Sequence, residues 1–333
     1  MDLNITWFIL VCTLLVIYAV LDGFDLGAGI LSLFVKKDTD KKSIMTAIGP
    51  VWDGNEVWLL TAGGALFAAF PKVYATVFSG FYLAMMLLLA ALIFRGVSLE
   101  FRNQVDSPGW KALWDRAFGF GSLVIALLIG TAFGNLISGV PINANGDYTG
   151  SFLELLDPYS LLVGVIAVVL FSMHGSIYIA LKTSGELHEN MKRKTLILWS
   201  VLIILYVVFV IASSFTISSH FSNAGSYVCF FILVATLIYI PLTLKKNGLL
   251  LSFAASSLVI VCMIGKAAIE TFPALAISNT NINYSLTIYN SASTPKTQGA
   301  MLIIAGIGLP IVISYTIWVY RIFKGKVGTD GGY

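Results

Sequence analysis

Charge is what this chain is short of. Only 11% of its 333 residues are Asp, Glu, Lys or Arg, where soluble proteins carry about 25%, and 58% are hydrophobic. So few charges cannot cover a water-facing surface, and the composition implies an integral membrane protein. Cysteine and histidine are scarce too, at three residues each. Cys12, Cys229 and Cys262 lie in apolar segments with no CxxC or metal-ligand spacing, which excludes a disulfide framework and reads as small core side chains. Of the histidines only His174 lies within an apolar run; His188 falls in a basic connection and His220 in a loop on the opposite side. Two histidines therefore cannot clamp a haem at membrane depth. A pair of His174 with Met85, Met86 or Met263 is the remaining ligand set, weighed against methionine as core filler. A basic n-region is missing from Met1-Asp2-Leu3-Asn4, so the first apolar run is expected to be a retained span and not a signal peptide. The formal net charge of +3 identifies no partner, and none is expected among nucleic acids.

What is present is long apolar runs. A hydrocarbon layer about 30 Å thick needs about 20 apolar residues per helix. Nine stretches qualify, at 5–35, 43–70, 73–94, 117–138, 159–181, 195–218, 226–244, 249–272 and 299–323. Basic residues follow the odd-numbered spans: Lys36 to Lys42, Arg95 to Arg116, Lys182 to Lys194, Lys245 and Lys246, and Arg321 to Lys326. These make 17 of the 20, with Lys72 and Lys296 on the other side and Lys266 inside a span. Cytoplasmic loops are rich in Lys and Arg, so the N-terminus is expected outside and the C-terminus in the cytoplasm. The connections 139–158 and 273–298 read as loops by composition, and Pro50 and Pro310 should kink the helices that contain them.

Carboxylates interrupt the first two spans. In Asp22-Gly-Phe-Asp25 and in Asp53-Gly-Asn-Glu56 the acids stand three residues apart, so each pair shares a helix face. Counted from the intervening lysine cluster, an antiparallel helix pair sets Asp25 level with Asp53 and Asp22 level with Glu56, with no basic residue on either helix at that level. A carboxylate at membrane depth costs a few kcal/mol and is functional by default, so a proton relay or cation site is the reading set against helices merely held by hydrogen bonds. Trp52 and Trp58 flank the acids, for helix packing or for stacking on a quinone. Lys266 and Glu270, four apart near an outer helix end, read as a local ion pair.

The longest motifs are Asp22-Gly-Phe-Asp-Leu-Gly-Ala-Gly29, Gly49-Pro-Val-Trp-Asp-Gly-Asn-Glu-Val-Trp-Leu59 and Thr61-Ala-Gly-Gly-Ala-Leu-Phe-Ala-Ala-Phe-Pro71. With Phe78-Ser-Gly-Phe-Tyr82, Phe94-Arg95, Phe133-Gly-Asn135 and Gly185-Glu-Leu-His188, they resemble subunit II of the cytochrome bd-type quinol oxidases over essentially the whole chain. The resemblance implies an all-α polytopic fold of two four-helix bundles plus one extra helix, set here at residues 5–138, 195–323 and 159–181. It implies a bacterial or archaeal cell-membrane complex that oxidises quinol, reduces dioxygen to water and builds a proton gradient without pumping. In such a complex two b-type haems and a haem d belong to subunit I, so this chain is expected to bind no cofactor itself, with a structural quinone and a small accessory subunit as options. By motif position Asp22, Asp25 and Asp53 would form a proton path from the cytoplasm, with Trp52, Asn55 and Glu56 beside them. Without the resemblance, a proton-coupled secondary transporter is the rival reading.

Overall fold

The computed structural model describes residues 2–216 and 224–327, and His220 lies outside them. Among the described residues eleven α-helices carry the fold: α1 (Leu3–Ser32), α2 (Asp38–Ile48), α3 (Trp52–Ala69), α4 (Pro71–Gly80), α5 (Tyr82–Phe101), α6 (Pro108–Ser138), α7 (Pro158–Lys182), α8 (Gly185–Thr216), α9 (Ala224–Lys245), α10 (Leu249–Thr271) and α11 (Pro295–Ile322). Their starts follow local chemistry. Asp2 caps α1 by accepting from the Asn4 N–H, while Asp157 and Thr294 cap α7 and α11 just ahead of Pro158 and Pro295. Proline at the first helical position removes an N–H that would have no partner there.

Eight of these helices are long and apolar enough to cross a membrane. The one missing from the expected nine is α3, because Asp53, Asn55 and Glu56 crowd its first two turns. The expected span 43–70 is not continuous. Pro50 lacks an N–H for the helical ladder and its ring obstructs the preceding turn, so the chain breaks between Ile48 and Trp52. α2 is then a short helix with Ile44, Met45, Ala47 and Ile48 buried, and α3 is 18 residues, about 27 Å long. A second break at Phe81 separates α4 from α5. Pro310, by contrast, stays inside a continuous α11.

α1 and α7 form the middle of the assembly. α1 touches α3, α6, α7, α10 and α11, and α7 is wedged among α1, α6, α8 and α10. Phe24 stacks on Tyr178 at 3.9 Å between ring centroids, and His174 on Phe253 at 4.5 Å. α11 rests on α3 and α1. The outward faces of α5, α8 and α11 are large exposed aliphatic and aromatic side chains, as a lipid-facing surface requires.

The segments that follow α1, α5, α7 and α9 gather at one end, as the distribution of basic residues predicts. Lys37 meets Glu186 at 2.5 Å, Lys41 meets Asp115 at 3.0 Å, and Lys192 meets Asn247 at 2.7 Å. The Lys37–Glu186 hydrogen bond and charge attraction hold the ammonium above its ordinary range and the carboxyl below. At the far end the two connections read as loops fold together. The strands β1 (Ala274–Ala276) and β2 (Leu286–Thr287) pair, Val140 bridges to Ser278, and Val140, Ile142, Leu155, Ala276, Leu286 and Ile288 are buried as one cluster.

Candidate functional site: a buried carboxylate cluster

The acidic face of α1 is buried by close helix crossing. A Cβ on Gly27 would overlap the Phe171 carbonyl of α7, and one on Gly175 would stand 2.8 Å from the Gly27 Cα. Gly29 is closed in the same way by the Ser122 hydroxyl of α6, and Gly23 by the Phe171 ring at 2.8 Å. Asp22 and Asp25 are consequently fully buried.

Neither α1 nor α3 carries a base at that level, but a third helix supplies one. Arg95, counted from sequence with the basic connection, lies within α5 and is fully buried. Its Nη2 donates to Asp22 Oδ1 at 2.6 Å, and its Nη1 donates to Asp22 Oδ2 at 3.1 Å and to Glu56 Oε2 at 3.4 Å. Asp22 and Glu56 are therefore level, as predicted, and the guanidinium joins them. Two-point guanidinium–carboxylate contact fixes both partners. The signal was available: Arg95 interrupts an apolar run that continues to Leu99, and Gly96 beside it lets the Trp52 ring approach, a Cβ there standing 3.2 Å from it.

Asp25 makes no ion pair among the described residues. Its Oδ2 accepts from Asn55 Nδ2 at 2.7 Å, and its Oδ1 has no hydrogen-bond partner among the described residues. Asn55 also donates to the Leu21 carbonyl at 3.2 Å and accepts from the Tyr320 hydroxyl at 3.0 Å. Asp53 does not meet Asp25. The helix that starts after Pro50 turns Asn55 inward, and Asp53 is exposed on the outer face of α3 beside Gly54, Val57, Leu60 and Gly64. Trp58 packs with Leu14, Tyr18 and Ala62, which is the helix-packing use.

Towards the basic end, Arg102 Nε holds Asp115 at 2.5 Å, its Nη2 holds Asp38, and Lys41 holds the other Asp115 oxygen. A cavity of about 170 Å³ beside this network is lined by Lys42, Thr46, Trp52, Glu100, Arg102 and Asn103, and so ends one residue from Asp53. Elsewhere, Lys266 pairs with Glu270, which also accepts from Ser226 at 2.5 Å.

The candidate haem-ligating histidines are both engaged within the chain. His174 Nε2 contacts the Val20 carbonyl at 3.0 Å and its Nδ1 the Ser256 hydroxyl at 2.7 Å, so both ring nitrogens are engaged and neither faces Met85, Met86 or Met263. His188 Nδ1 is engaged by the Ala180 carbonyl at 2.8 Å.

Comparison with known proteins agrees with this architecture. Residues 3–323 match the family described as cytochrome bd terminal oxidase subunit II. The chain is 36% identical to cytochrome bd-I ubiquinol oxidase subunit 2 of Escherichia coli K12, over 98% of this chain and 95% of the relative. It is 34% identical to cytochrome bd ubiquinol oxidase subunit 2 of Bacillus subtilis 168, over 98% and 97%. In fold it is similar to a chain of the bd oxidase from Geobacillus thermodenitrificans, with a TM-score of 0.79 at 17% identity, covering 97% of this chain and 99% of that one. A match over nearly the full length of both sequence relatives leaves one conclusion: the chain belongs to the cytochrome bd terminal oxidase subunit II family.

Proposed function

We propose that this subunit carries protons through its carboxylate cluster towards the oxygen-reducing centre of its partner. Family membership makes the chain a subunit of a quinol-oxidising terminal oxidase in a bacterial membrane and leaves no place for the transporter reading. The observation that carries the proposal is Asp25: fully buried, with no ion pair among the described residues, one oxygen held by Asn55 and the other open. A group so placed can take and release a proton without breaking an ion pair. Protons would enter by the cavity at Trp52 and Arg102 and pass Asp53 to Asp25 and Glu56. Asp22, clamped by Arg95, supplies the fixed charge against which Glu56 works.

The same reading assigns the rest of the complex. The two b-type haems and haem d would sit in subunit I, since this chain engages both nitrogens of its intramembrane histidine. Asp53 cannot face lipid, so the outer face of α3, open at Gly54 and Gly64, is where subunit I would seat, flanked by α5 and α11. With α3 counted as a span the spans among the described residues number nine, the N-terminus would lie outside, and the basic end would be cytoplasmic. Dioxygen is the oxidant of the complex. A structural quinone or a small accessory subunit would be held outside the carboxylate cluster.

The test is oxygen consumption per haem in the intact complex carrying Asp25→Asn. The amide keeps the size and hydrogen bonding of the side chain but cannot relay a proton, so turnover should fall while haem content holds. Unchanged turnover per haem would sink the proposal.

A further inference from the structure

We infer that Tyr320 is a positioning residue for the proton relay, acting on Asp25 through Asn55; this rests on the relay proposed above. The geometry assigns every polar atom of the Asn55 amide. The Tyr320 hydroxyl donates to Asn55 Oδ1 at 3.0 Å, while the two Nδ2 hydrogens go to the Leu21 carbonyl at 3.2 Å and to Asp25 Oδ2 at 2.7 Å. Two acceptors on one side and one donor on the other leave a single orientation for the amide. Asn55 therefore always presents a donor to Asp25, which keeps one carboxyl oxygen engaged and leaves Oδ1 as the atom that exchanges protons. The donor that completes this arrangement comes from the last helix, 265 residues away in sequence.

A purely structural role for the same hydroxyl, fastening α11 to the bundle, is already filled by other groups. At its outer end the Gln298 carbonyl accepts from Trp7 Nε1 at 3.1 Å and Gln298 Nε2 donates to Asn4 Oδ1 at 2.9 Å. At its inner end Lys182 Nζ donates to the Phe323 carbonyl, and the Val327 N–H donates to the Lys182 carbonyl at 2.8 Å. Both ends stay tied when one phenol is lost. What the Tyr320 hydroxyl adds is the alignment of Asn55. It also ties the relay to α11, a helix that rests on α3 and so borders the proposed subunit I face.

The experiment uses the intact membrane complex with Tyr320→Phe, Asp25→Asn, the double variant, and Tyr315→Phe as a control on the exposed face of α11. Removing one neutral hydrogen bond predicts that turnover per haem in Tyr320→Phe falls about three- to tenfold, with KM for quinol and haem content unchanged. The double variant should be no slower than Asp25→Asn, and Tyr315→Phe should match the parent. Infrared difference spectra give a second reading. The carboxyl vibrations that disappear in Asp25→Asn should be displaced in Tyr320→Phe and not in Tyr315→Phe. Slow Asp25→Asn with normal Tyr320→Phe turnover overturns this inference and spares the relay. Normal Asp25→Asn overturns the relay, and the infrared displacement then decides the positioning alone. Undisplaced Asp25 vibrations in Tyr320→Phe overturn the inference whatever the turnover.

Discussion

Arg95 and Asp22 form a two-point ion pair, Nη2 to Oδ1 at 2.6 Å and Nη1 to Oδ2 at 3.1 Å, with both side chains wholly out of solvent. Removing one member of a buried pair strands the other charge, at a cost of about 3–5 kcal/mol. Asp22→Asn and Arg95→Met should each cut the amount of assembled, haem-containing complex several-fold. Arg95→Lys should do so as well, because an ammonium cannot make the two-point contact. Haem content per membrane protein checks all three; normal content in Asp22→Asn would show that Glu56 alone neutralises Arg95.

The amide series separates the acids by role. Asp25 makes no ion pair among the described residues, so Asp25→Asn should assemble normally and fail in turnover, the reverse of Asp22→Asn. Plotting turnover per haem against haem content for the two variants should place them in opposite corners.

The acids were legible in the sequence because a carboxylate in an apolar run stands out, and lysine-anchored counting put Asp22 level with Glu56, which Arg95 now joins. That count gives depth and not direction: within α3 it is Asn55 that faces Asp25, while Asp53 lies on the exposed side. Arg95 was counted with the basic connection although the apolar run continuing to Leu99 marks it as lying within a helix. The Lys266–Glu270 pair was legible because both residues lie on one helix. Tyr320 was not, because no periodicity links side chains 265 residues apart. The far-end connections read as loops because each is too short to bury a core by itself, and only their mutual packing makes one.

Glycines that look alike in sequence should part company. Gly27→Leu would drive a side chain into the α7 backbone at the Gly175 crossing, and the subunit itself should fail to fold in the membrane. Gly64 has open space on its side, so Gly64→Leu should leave the subunit folded and weaken only its hold on subunit I. Membrane level of this subunit against co-purified haem distinguishes the two. If Gly64→Leu retained full haem, the α3 face would not be the seat of the partner.

Orientation is testable at two exposed positions, one at each end of the assembly. Asn145→Cys, beside the far-end turn, should react with a membrane-impermeant thiol reagent added to intact cells, and Lys324→Cys should react only after the membrane is opened. The opposite pattern would reverse the topology and turn the cavity at Trp52 away from the cytoplasm.

The last prediction concerns the order of groups along the path. Asp53 lies on the exposed face of α3, one residue from the Trp52 that lines the cavity at the basic end, whereas Asp25 is fully buried and Glu56 lies a turn further along α3. If protons pass Asp53 first, Asp53→Asn slows delivery to the cluster without changing what Asp25 does once loaded, while Asp25→Asn removes the exchanging group itself. General acid–base groups contribute about 10² to 10⁴ in rate, so Asp25→Asn should slow turnover at least tenfold even where water bypasses part of the loss. Asp53→Asn should give a milder defect that deepens as pH rises and free protons become scarce, because an entry group matters most when supply limits. Glu56→Gln loosens the hold on Arg95 as well, so its turnover loss should come with a partial loss of haem. Steady-state oxygen consumption per haem across a pH series reads all three. Equal, pH-independent defects in Asp53→Asn and Asp25→Asn would remove the entry role of Asp53, and full activity in Asp53→Asn at every pH would leave the outer face of α3 to subunit I alone.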